Sequence, residues 1–112
     1  MEIKTSEADG ITFVRMSGRL TSTTSGPAYD ELVRVAQSGT KKVVINLREL
    51  DFIASSGLRS ILVAAKLLKG SQGEIRICEA NETVRKVLET SGFDSLIRLC
   101  ADEKQAVASF EK

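Results

Sequence analysis

The segment Lys41-Lys42-Val43-Val44-Ile45-Asn46-Leu47 limits the fold more than any other stretch of the chain. Its apolar residues run on without the alternation of a half-exposed strand, which is the pattern of a strand buried on both faces. Such a strand needs cover above and below, and in an α/β domain the helices that join parallel neighbours provide it. Beyond Asp51-Phe52-Ile53-Ala54-Ser55-Ser56-Gly57, the residues Leu58, Ile61, Leu62, Ala65 and Leu68 recur at helical spacing. The stretch between is a strand-to-helix junction ending in two hydroxyls and a glycine. Ser55 or Ser56 is expected to cap a helix running from about Ser56 to Leu68. A helix start carries unpaired N–H groups and the positive end of the helix dipole, so a phosphate placed there is favoured.

The flanking segments alternate in the same way. Met1 to Glu7 reads as a short strand, Asp9-Gly10 as a two-residue hairpin turn, and Ile11 to Ser17 as a second, antiparallel strand with period-two alternation. A polar connection, Thr21 to Gly26, leads to a helix with Pro27 in its first turn, Leu32, Val35 and Ala36 on its buried stripe and Gly39 at its end. After the central unit comes a turn at Gly70 to Gly73 and a strand at Glu74 to Cys78. A helix capped by Asn81 and stopped by Gly92 follows, with Val84, Val87 and Leu88 inward. A short edge strand at Leu96 to Leu99 and a last helix starting at Asp102, with Ala106, Val107 and Phe110 inward, complete the chain. The order ββαβαβαβα predicts an α/β domain, a mixed sheet of four to five strands with about four helices. At 112 residues, positions 1–112 form a single domain.

Composition narrows the function. The 16 basic and 15 acidic residues are mixed along the chain, so neither a nucleic acid nor an anionic membrane surface is expected as a partner. The longest apolar runs are too short to span a bilayer, which excludes direct membrane insertion. Histidine is absent, which removes Ser-His-Asp and Cys-His catalysis and the commonest metal ligand. No catalytic residue, metal or cofactor is expected. Cys78 and Cys100 are not in a ligand cluster and read as two buried free thiols of a cytoplasmic protein, with a disulfide between them as the minor alternative.

Ile53-Ala54-Ser55-Ser56-Gly57-Leu58 resembles the signature loop of the STAS domain, the family named from sulfate transporters and anti-sigma factor antagonists. Val84 to Phe93 is similar to that family's penultimate helix and turn, so the likeness extends over the chain. Bacterial antagonists carry an apolar residue, Asp, Ser, Ser or Thr, Gly and Leu in the loop, and the serine after the Asp is phosphorylated. By position that serine is Ser55. The family's Asp is Ala54 here. Gly18-Arg19-Leu20 matches a second family pattern, with Thr21 where an Asp is usual.

The resemblance implies a STAS-like fold and an anti-sigma factor antagonist that binds an anti-sigma factor with a kinase-like ATP-binding fold. Phosphorylation of Ser55 would end the interaction and a serine phosphatase would restore it. The partner-binding face would include Thr21, Ser22, Ala54, Ser55, Ser56, Gly57, Leu58 and Arg59. Thr21 to Thr24 is expected beside the Ser55 loop. The neutral Ala54 and Thr21 keep a second reading open, a STAS-type regulatory or docking subunit of a membrane transporter assembly. A nucleotide site at the Ser-Ser-Gly helix start is disfavoured, since the chain has no lysine-bearing phosphate loop.

Overall fold

The computed structural model describes residues 1–110. Its elements are β1 (Glu2–Ala8), β2 (Ile11–Leu20), α1 (Ser25–Ala36), β3 (Lys42–Ile53), α2 (Ser55–Gly70), β4 (Glu74–Cys78), α3 (Glu82–Thr90), a 3-10 turn (Phe93–Ser95), β5 (Arg98–Cys100) and α4 (Glu103–Ala108). The order ββαβαβαβα holds. The five strands lie in the sheet in chain order, β1-β2-β3-β4-β5. β1 is antiparallel to β2, and β2 through β5 run parallel. Ala8 pairs with Ile11, so Asp9 and Gly10 alone make the turn, both at positive φ (55° and 77°). That is the turn whose twist matches two antiparallel strands, and a glycine takes its second position without strain.

The parallel strands step across the sheet in one direction. Crossovers of one hand then place every connecting helix on the same face. Accordingly α1, α2 and α3 share one core with β2, β3 and β4, in which Val14, Leu32, Ile45, Ile61, Ile77, Val84 and Leu88 are buried. The opposite face belongs to α4, where Ala106 packs on Ile11, Phe13, Val44 and Cys78, with Val107 and Phe110 at the margin. β3 therefore has helices above and below, as its unbroken apolar run requires. Most expected inward residues of the helices are buried, but Leu62, Ala65, Val87, Val107 and Phe110 are only half-buried, and Ala64 is fully buried instead.

Several boundaries differ from the sequence reading. β3 runs six residues past Leu47, because the extension pairs with Ser17, Gly18, Arg19 and Leu20 of a longer β2 and buries Leu50 and Ile53. α1 ends at Ala36, three residues before Gly39, whose φ of 98° belongs to the following turn. β5 begins at Arg98 rather than Leu96, and Leu96 stands on the surface. Both cysteines are free. Cys78 is buried and Cys100, its register partner on β5, is half-buried rather than buried. Burial pushes the Cys78 thiol up to about 12, and the charge of Glu79 adds to the effect, so this sulfur stays a thiol.

The first and last parts of the chain meet at Glu103. Its carboxylate accepts two hydrogen bonds from the Arg15 guanidinium, both at 2.9 Å, and one from Asn46 Nδ2 at 2.7 Å. Burial works to raise this carboxyl, but the Arg15 and Asn46 hydrogen bonds and the Arg15 charge outweigh it and hold it below the usual carboxylate range.

Candidate functional site

The junction between β3 and α2 is tighter than the sequence suggests. Ile53 is the last strand residue and Ser55 the first helical one, so a single residue, Ala54, turns the chain. Ala54 is extended (φ −92°, ψ 169°) and is itself the N-cap, with no side-chain hydrogen bond to the helix start. The expected serine cap is therefore absent. The reason is the register between β2 and β3. Leu20 pairs with Ile53, and the Ala54 N–H donates to the Leu20 carbonyl at 2.8 Å. This fixes Ala54 as the last extended residue and places both serines inside the first turn. The Ala54 carbonyl accepts the N–H groups of Gly57 (2.9 Å) and Leu58 (3.0 Å). Among the described residues, no acceptor serves the N–H groups of Ser55 and Ser56. No acidic side chain lies in this first turn.

The two serines differ in access. Ser55 is exposed. Ser56 is half-buried, and its Oγ lies in the interior without a hydrogen-bond partner. Gly57 is buried against β2 and β3. A Cβ there would sit 2.6 Å from both Cγ and Cδ2 of Leu20, which is fully buried, and 3.1 Å from Ile53. Glycine is thus needed for the helix to start so close to the sheet. Leu58 also points inward and Arg59 is exposed. Gly57 and Leu58 consequently shape the junction from below, and the outer surface is formed by Ala54, Ser55 and Arg59.

The Thr21 to Thr24 connection lies beside this junction, brought there by the Leu20–Ala54 bond. It is held by its own hydroxyls. Thr24 Oγ1 accepts from the Thr21 N–H at 2.8 Å and donates to the Arg19 carbonyl at 2.9 Å. Thr21 Oγ1 lies 2.9 Å from Thr23 Oγ1, while Ser22 is exposed. On α2, Ser60 is buried and its Oγ donates to the Ser56 carbonyl at 3.1 Å and reaches the Ser25 carbonyl at 3.5 Å, tying the starts of α1 and α2 together.

One feature of this end of the sheet escaped the sequence reading. Arg19 and Phe52 are register partners on β2 and β3, and the guanidinium lies 4.6 Å from the centre of the half-exposed Phe52 ring. With Leu20 and Ile53 pointing to the helices, strand alternation turns Arg19 and Phe52 to the other face. That alternation is visible in the sequence only once β3 is known to continue to Ile53. Among the described residues no group of three or more acidic, cysteine or histidine side chains could hold a metal, and no helix is long and apolar enough to cross a membrane.

The sequence model of the STAS domain matches residues 2–106. A Bordetella bronchiseptica protein named as an anti-sigma factor antagonist is 34% identical over 111 residues, which are 99% of this chain and 96% of that protein. An anti-sigma F factor antagonist of Paenibacillus polymyxa is 31% identical over 114 residues, covering 99% of this chain and 96% of its own. In fold, the crystal structure of an anti-sigma factor antagonist from Mycobacterium paratuberculosis matches with a TM-score of 0.92 at 19% identity, over 99% of this chain and 94% of that one.

Proposed function

This chain belongs to the STAS domain family, and from that premise we propose that it is an anti-sigma factor antagonist switched by phosphorylation of Ser55. Unphosphorylated, it binds a cytoplasmic anti-sigma factor with a kinase-like ATP-binding fold. Phosphate on Ser55 ends the interaction, and a serine phosphatase renews it. The protein itself catalyses nothing in this cycle. The observation that carries the reading is the unequal pair of serines. Ser55 offers an exposed hydroxyl at a helix start whose N–H groups are unpaired, whereas the Ser56 hydroxyl is enclosed.

The fold has reason to tolerate the phosphate. An anion at a helix N-terminus contributes about 0.3–2 kcal/mol favourably. The complex does not. A partner fitted to a neutral hydroxyl would have to desolvate about −1.5 to −2 units of charge. An uncompensated buried charge costs several kcal/mol, or roughly two to four orders of magnitude in affinity. Thr21, Ser22, Ala54 and Arg59 complete the docking face in this reading.

The test is to incubate the purified chain with its anti-sigma factor and ATP, locate phosphate by mass spectrometry and measure affinity by calorimetry. Phosphate on Ser55 is expected, with Ser55→Ala binding but resisting modification and Ser55→Asp binding at least a hundredfold more weakly. Phosphate on Ser56 alone overturns the assignment. The neutral Ala54 and Thr21 favour one other reading, a constitutive docking subunit of a transporter assembly. No phosphate on either serine, with Ser55→Asp binding as tightly as the unaltered chain, would establish that reading instead.

A further inference from the structure

The second half of α2 carries the stripe of Ser55 and Arg59 onward. Leu62, Ala65, Lys66 and Lys69 follow one another at positions i, i+3, i+4 and i+7, which places them in line on one side of the helix. They form one wall of a cleft of about 310 Å³ whose other wall is Leu96 and Arg98, beside the β5 edge of the sheet. Its floor is closed and apolar, since Ile75 and Ile97 are only 6% and 4% exposed. Leu96 is 64% exposed, more than any other large exposed apolar side chain among the described residues.

The unpaired charge around this apolar floor has one sign. Lys66, Lys69 and Arg98 are exposed at the rim, and among the described residues none of them has a carboxylate partner. Glu74 borders the cleft, but its carboxylate is held by the Arg76 guanidinium at 2.7 Å. Arg76 is in turn bound to Ser109 Oγ at 2.7 Å and stacked 4.5 Å from the centre of the Phe110 ring, on the α4 face of the sheet. The acid at the rim is thereby already paired with a cation of its own.

We propose that this cleft is a second docking site, and that it receives an acidic amphipathic helix of a partner protein. Apolar side chains spaced at i, i+3 or i+4 would cover Leu62, Leu96 and the isoleucine floor, and carboxylates on the flanks would meet the three cations. A purely polyanionic partner would satisfy the cations and leave the leucines wet. The site lies further along the same stripe of α2 as Ser55. At about 1.5 Å per residue, Leu62 lies about 10 Å and Lys69 about 20 Å along the helix from Ser55, so the second partner would engage the far end of α2.

The test uses the full ¹⁵N-labelled chain and three synthetic 14-residue helical peptides. The first has leucine at the i, i+3, i+4 and i+7 positions and glutamate on both flanks. The second replaces each glutamate by lysine, and the third scrambles the first. Amide shifts confined to residues 62–69, 73–76 and 96–98 are expected with the first peptide, at least tenfold weaker binding with the other two, and weaker binding at higher salt. The double variant Lys66→Glu, Arg98→Glu should lose at least tenfold, and Leu96→Ser a smaller factor, with the amide spectrum showing that both remain folded. Ser55→Asp should leave this binding unchanged, which separates it from the switch proposed above. Absence of shifts at these residues up to millimolar peptide, or equal binding of the glutamate and lysine peptides, would overturn the proposal.

Discussion

Two helix starts in this molecule solve the same problem in opposite ways. α3 begins at Asn81, whose Oδ1 accepts the Val84 N–H at 2.8 Å while its Nδ2 donates to the Leu50 carbonyl at 2.9 Å. Its first turn is capped and fastened to β3. α2 begins at Ala54, which has no side chain to offer, and the two serines that follow do not close the turn. α2 is instead held by what lies beneath it, Gly57 against Leu20 and Ile61 in the core. A start that is anchored by packing can leave its N–H groups open to an incoming ligand. A capped start has already used that capacity for stability.

That contrast can be broken by substitution. If packing holds α2, Ile61→Ala should cost about 2–5 kcal/mol, as for other large-to-small core changes. Urea denaturation measures it, and a loss under about 0.5 kcal/mol, the range of surface changes, would mean that the helix is secured elsewhere. Gly57→Ala should cost about 1–3 kcal/mol, because a methyl group 2.6 Å from Leu20 forces neighbouring side chains or the helix to shift. Asn81→Ala should cost about 0.5–2 kcal/mol, with exchange protection lost first in α3.

A smaller effect is expected from pH. The Glu103 carboxyl is held below its ordinary range when folded, so the unfolded chain takes up its proton first as pH falls. The Arg15–Glu103 contribution is therefore fully present above about pH 4.5, the ordinary range of this carboxyl, and disappears as pH drops through the folded value. Since Arg15 is 46% exposed, the loss should be at most about 1 kcal/mol. Glu103→Gln should flatten that part of the stability–pH curve. The smallest effect sharpens the comparison most. Ser55→Ala should change stability by less than about 0.5 kcal/mol, because Ser55 is exposed and caps nothing. A loss near 1 kcal/mol, typical of removing a cap, would erase the distinction between the two helix starts.

Much of this architecture was legible from local rules. The Asp9-Gly10 turn, the Asn81 cap and the Gly92 stop each depend on a few neighbouring residues, and each lies where expected. The errors arose where distant pairing decided the outcome. The apolar run ends at Leu47, yet the strand continues through Arg48 to Ile53 because residues 17–20 lie alongside it. The same pairing moved the cap from serine to Ala54, against the usual preference for serine, and turned Phe52 outward beside Arg19. At the site, the motif and the exposed Ser55 could be read directly. The neighbouring Thr21 loop was expected from the resemblance, and the enclosed Ser56 hydroxyl required the register.

The strand order carries a consequence for how the chain assembles. Every strand pairs with the one made just before it, so no element waits for a later one and the sheet can grow from its first hairpin one unit at a time. The exception is α4, which must return across the sheet to Ile11, Phe13 and Val44 and is latched to the second strand through Arg15 and Glu103, 88 positions apart. A chain still being synthesised could therefore complete the face bearing Ser55 before the opposite face closes. Docking of α4 would then be the final event of folding, and the Arg15–Glu103 pair a reporter of its completion.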